Sequence, residues 1–69
     1  MKERMKQRIF ETRIVFHSSS MSMVKDKFDT LDEAIQDAKL RELYNEEKDS
    51  QSYFVKEIII INHYLNHYL

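Results

Sequence analysis

The chain has 69 residues, 42% of them apolar and 33% charged, with a formal net charge of −1. That suffices for one compact domain over residues 1–69 and is too little for two. Cysteine, glycine and proline are all absent, which excludes disulfides, thiol catalysis, Cys-based zinc sites and the glycine-rich loops that cradle phosphate.

At the N-terminus, residues 1–7 form a basic, frayed segment in which Lys2, Arg4 and Lys6 alternate with other residues and lead into Arg8. An extended backbone would set these four cations on one side, where they could meet a phosphate backbone. The plainer account is a solubilising terminus, since the chain carries no arginine-glycine repeat, helix-turn-helix spacing or aromatic RNA-binding motif. Residues 8–17 then read with period two. Phe10, Thr12, Ile14 and Phe16 form an apolar row against a mixed row of Ile9, Glu11, Arg13, Val15 and His17, the pattern of a half-buried strand.

Without glycine or proline, turns fall to Ser, Asn and Asp, and Ser18, Ser19 and Ser20 provide the first. His17 beside three serines sets a base near nucleophiles, but strand and turn neighbours point apart and no acid is placed to orient the imidazole. A solvated turn is the expectation. Residues 21–28 return antiparallel, with an irregular alternation that a β-bulge would accommodate.

Thr30-Leu31-Asp32-Glu33 has the form of a capping box, in which Thr30 accepts from the Glu33 amide and Glu33 reaches back to the Thr30 amide. Leu31, Ala34, Ile35 and Ala38 recur at helical spacing behind it, predicting a helix from about residue 30 to about 44. Its acidic first turn and basic end suit the helix dipole, and Asn45 is the expected terminator. Residues 45–52 form the second turn. Residues 53–61 are β-rich, and the isoleucine run at 58–61 places isoleucine on both faces of a sheet. That run is the longest apolar stretch, far short of the ~20 residues that span a bilayer. With no signal-peptide pattern either, a cytoplasmic protein without a membrane partner is expected. The fold class is therefore α+β, in the order β-β-α-β over residues 8–61, with one helix on a small, mainly antiparallel sheet.

Residues 62–69 repeat Asn-His-Tyr-Leu. On a helix Tyr64, Leu65, Tyr68 and Leu69 gather on one side, and continuation of the strand is the alternative. His63 and His67 are four apart and His17 could join them, yet no carboxylate or cysteine lies close in sequence to complete a ligand set. No metal, cofactor or catalytic residue is assigned.

The run Phe28-Asp29-Thr30-Leu31-Asp32-Glu33-Ala34, with Ala38 beyond and set between a hairpin and a strand, resembles small stand-alone α+β proteins of bacterial and phage genomes. The resemblance spans about residues 8–61. It implies this architecture and a prophage origin, for a group mostly without assigned activity, and it transfers no functional residue. The chain departs from that pattern in lacking a glycine before the final strand.

Two functional classes follow. The first is a non-enzymatic structural or regulatory interaction protein, self-associating as a homodimer and able to engage a further protein partner. One helix covers one face of the sheet and exposed apolar patches invite contacts, so the face left open, or else the edge of the last strand, is the expected place of contact. Ile9, Val15, Ile59 and Ile61, with Tyr64, Leu65 and Tyr68, are the expected interface. The tail folding back over that face is the competing arrangement. The second class is a nucleic-acid accessory protein using Lys2, Arg4, Lys6 and Arg8. Charge segregation serves both: residues 1–28 hold seven basic and three acidic side chains, residues 29–69 four and nine.

Overall fold

The computed structural model describes residues 5–62. Strand β1 (Met5–Phe16), strand β2 (Met21–Phe28), helix α1 (Leu31–Leu43) and strand β3 (Gln51–Asn62) follow in chain order. The architecture is α+β, with the β-β-α-β order read from periodicity. Residues 63–69 lie outside the described residues, so the choice between helix and strand for the tail lies outside them too.

The three strands form one antiparallel sheet in the order β2-β1-β3. β1 is central, paired on both edges, and its even row supplies the core of the sheet. Phe10 and Ile14 are buried in the core, and Thr12 between them is fully buried. β1 begins at Met5, earlier than the expected Arg8, so residues 5–7 of the basic segment belong to the sheet.

A four-residue turn over 17–20 closes the first hairpin between Phe16 and Met21. Ser20 takes φ 60 there, a left-handed conformation that other chains commonly give to glycine. The pairing slips between Thr12 and Arg13, where Thr12 faces Asp26 and Arg13 faces Val24. Lys25 is thus the extra residue of a β-bulge, which accounts for the irregular alternation of this strand.

The helix begins as the capping box requires. The Glu33 amide donates to the Thr30 hydroxyl (3.3 Å), and that hydroxyl donates to the Glu33 carboxylate (2.8 Å). The carboxylate therefore meets the Thr30 side chain, where the motif as read had it meeting the Thr30 amide. α1 buries Ala34 completely against the sheet, and the small side chain lets the two backbones approach. The Thr12 hydroxyl reaches across this contact to donate to the Ala34 carbonyl (3.2 Å).

The helix side of the sheet is thereby defined by Phe10, Thr12 and Ile14. Strand pairing adds Val55 and Glu57 of β3 to it and leaves Ile9, Glu11, Arg13 and Val15 on the opposite, open side. No helix of the described residues is long and apolar enough to cross a membrane.

Candidate self-association surface

β2 pairs with β1 only from Phe10 to Phe16, whereas β3 pairs with it from Met5 onward. Residues 5–9 and 58–62 consequently form a two-stranded ribbon that projects past β2. β2 ends at Phe28, the partner of Phe10, and Thr30, the cap of α1, follows two residues later. Two-stranded ribbons are marginal alone in water. This one carries the isoleucine run. Ile59 is on the helix side yet remains 53% exposed, and Ile60 on the open side is 42% exposed, while Ile9 and Ile58 are half-buried.

The register divides the expected interface residues between the two faces of the sheet. Ile9 and Val15 do lie on the open side, but Ile9 pairs with Ile58 and Gln7 with Ile60. The isoleucines sharing that side are therefore Ile58 and Ile60, not Ile59 and Ile61. Ile59 pairs with Arg8 and Ile61 with Lys6. A run of four isoleucines looks the same in either phase, so its face depends on pairing with β1, which local pattern leaves undetermined. Tyr64, Leu65 and Tyr68 lie outside the described residues.

The middle of the open side is charged. Glu11 is flanked by its cross-strand partners Lys27 and Lys56, and Arg13 donates to its carboxylate (2.7 Å) while a further guanidinium N–H reaches the Ser22 hydroxyl (3.1 Å). Three cations around one carboxylate leave this strip net positive between apolar ends formed by Ile9, Ile58 and Ile60 on one side and by Val15, Val24 and Phe54 on the other.

Of the four cations proposed to meet phosphate, Lys2 and Arg4 lie outside the described residues. Lys6 and Arg8 sit two apart on β1 and are both exposed. Arg8 is partly occupied by an ion pair with Glu57 (3.2 Å).

The two outer edges of the sheet are unequal. β2 carries the bulge together with Lys25 and Lys27, both devices that discourage further strand pairing. On β3 the first residues are occupied. The Gln51 amide donates to the Glu47 carbonyl (2.9 Å), the Gln51 carbonyl accepts from the Asn45 side chain (3.0 Å), and the Tyr53 amide donates to the Glu42 carboxylate (2.9 Å). All three groups point away from β1. Strand alternation sends the amides and carbonyls of Val55, Glu57 and Ile59 the same way, and among the described residues they have no partner.

Asn45, expected only as a helix terminator, is a buried hub of this end. Besides the Gln51 carbonyl its amide group donates to Glu42 (3.1 Å), and its oxygen accepts from the Glu47 amide (2.9 Å). Hydrogen bonds from the Tyr53 amide and the Asn45 side chain hold the Glu42 carboxyl below the ordinary glutamate value, with smaller help from Lys48 and His17 against an opposing effect of burial.

His17 also finds partners that are distant in sequence. Its Nδ1 lies 3.1 Å from the Asp49 carbonyl, which can only accept, so Nδ1 carries the proton. In the neutral ring Nε2 then accepts from the Ser52 hydroxyl at 2.6 Å. The ring is exposed, and its partners are Asp49 and Ser52 in place of the neighbouring serines. It fastens the end of β1 to the start of β3. Searches of known families, curated proteins and solved structures found no match to this chain.

Proposed function

We propose that this protein is a small interaction module that acts through protein contacts, with a second copy of itself as the first partner, and not through catalysis. The observation that carries the reading is the exposure of Ile59 on the helix side and Ile60 on the open side of the two-stranded ribbon. A domain of this size buries only about 60% of the surface its unfolded chain exposes. Association adds apolar burial where the fold is thinnest. Light scattering on a sizing column at micromolar concentration tests this. The expected mass is twice 8.4 kDa; a mass of 8.4 kDa that persists on about tenfold concentration excludes self-association in this range.

A second reading, a nucleic-acid accessory protein, is favoured by the cationic strip of Arg13, Lys27 and Lys56 on the open side, with Phe54 beside it. Single strands bind where cations track phosphate and an aromatic ring offers a stacking surface. Retardation of a labelled single-stranded oligonucleotide at about 50 mM salt, falling steeply as salt rises, supports this reading. No retardation at that salt excludes it.

A further inference from the structure

We infer that two copies join through the free edge of β3, pairing antiparallel about a two-fold axis at Ile59, so that their sheets continue as β2-β1-β3-β3-β1-β2. This rests on the self-association reading above and specifies its geometry.

The alternative contacts are each disfavoured by the residues present. The β2 edge is interrupted by the Lys25 bulge and carries Lys27. Face-to-face packing of the open sides would press the strip of Arg13, Lys27, Lys56 and Glu11 against its own copy, with like net charge on both sides. The other unpaired stretch, the β2 side of β1 over residues 5–9, is flanked by Lys6 and Arg8, and charged side chains discourage edge pairing. The β3 edge differs. Its start is closed by Glu42, Asn45 and Glu47, and from Val55 onward it offers alternating amides and carbonyls with isoleucine side chains between them.

The same closure defines the register. Odd-numbered residues of β3 point their backbone groups outward, so in an antiparallel pair odd must face odd and even must face even. An axis at Glu57 would set two carboxylates directly opposite, which is destabilising. An axis at Ile59 removes that clash. Ile59 then faces its own counterpart, Ile58 faces Ile60 of the second copy, and Glu57 faces Ile61. Lys56 faces Asn62 instead of an isoleucine, which makes this register better than an axis at Ile58. The two marginal ribbons become one four-stranded segment, β1-β3-β3-β1, in which both β3 strands are central.

Two variants test the arrangement. Ile59→Pro removes an outward amide, and an edge strand tolerates proline where the N–H faces solvent. Its expected mass falls from the dimer value to 8.4 kDa, with an unchanged far-ultraviolet circular dichroism spectrum. The chain has no native cysteine, so Ile59→Cys gives a single thiol. Facing residues at about 5.5 Å between Cα atoms lie within disulfide range, and mild oxidation should link that variant into covalent dimers. Phe54→Cys, on the open side, should remain largely unlinked. Dimers that cross-link through residue 54 in preference to residue 59, or a folded proline variant that stays dimeric, overturn the edge geometry and leave self-association standing. A wild-type chain that is monomeric throughout overturns both.

Discussion

Asn45 shows how much one buried polar side chain can organise. Each of its polar atoms is satisfied, and its partners come from the helix end, the loop and the first residue of β3. Removing it strands several of them at once. Asn45→Ala is expected to lower unfolding stability by about 2–3 kcal/mol in urea titration, since unsatisfied buried groups cost about 1–3 kcal/mol each. Glu42 makes a separate, pH-dependent contribution. Its folded value is depressed below the ordinary 4.5, so the stability it adds is complete above 4.5 and is lost as pH falls through the lower folded value. The stability difference between the wild type and Glu42→Gln, followed by urea midpoints, should therefore shrink as pH drops below 4.5. A difference that stays constant from neutral pH to below that range would show that Glu42 acts without its charge. Asn45 was legible in the sequence as a helix terminator. Its partners at residues 47 and 51 were not, because local pattern does not say which way the chain turns after a helix.

At the scale of elements, local signals carried far. The capping box placed the start of the helix, alternation placed β1, and the serine triplet placed the first turn, because each depends on groups within a few residues of one another. The helix's apolar stripe was only partly informative. Ala34 is fully buried, but Leu31 is 47% exposed, since the helix rests on its alanines and close approach leaves the larger side chain at the margin. This geometry makes a prediction. Ala34→Leu inserts methylenes where helix and sheet touch and should cost about 1–3 kcal/mol, or more if the Thr12 bond to the Ala34 carbonyl is lost. Thermal unfolding of the variant checks it, and a melting point equal to that of the wild type would show that the helix can move away from the sheet freely.

For the molecule as a whole, the net charge of −1 conceals an arrangement across the sheet. The open side is cationic at its centre, while α1 carries Asp32, Glu33, Asp37 and Glu42. If two copies share the β3 edge, unfolding is coupled to dissociation and the melting temperature depends on concentration. With an unfolding enthalpy of roughly 0.7 kcal/mol per residue, about tenfold more protein should raise it by about 5 °C. A melting temperature independent of concentration between micromolar and millimolar would contradict a dimer. From sequence alone came the class, the element order, the position of the helix and the exclusion of thiol, disulfide and phosphate-loop chemistry. These follow from composition and from periodicities of two and 3.6, which are local properties. Tertiary structure alone decided that β1 is central, that Ile58 and Ile60 join Ile9 on the open side, and that Glu42 and Asn45 close one end of the β3 edge while the isoleucines leave the rest open. The closure of the edge needs Glu42 and Asn45 to meet Tyr53 and Gln51 across a loop whose path local pattern does not give, and the faces of the isoleucines depend on register between β1 and β3, where a shift of one residue, invisible within a run of four isoleucines, exchanges the two faces.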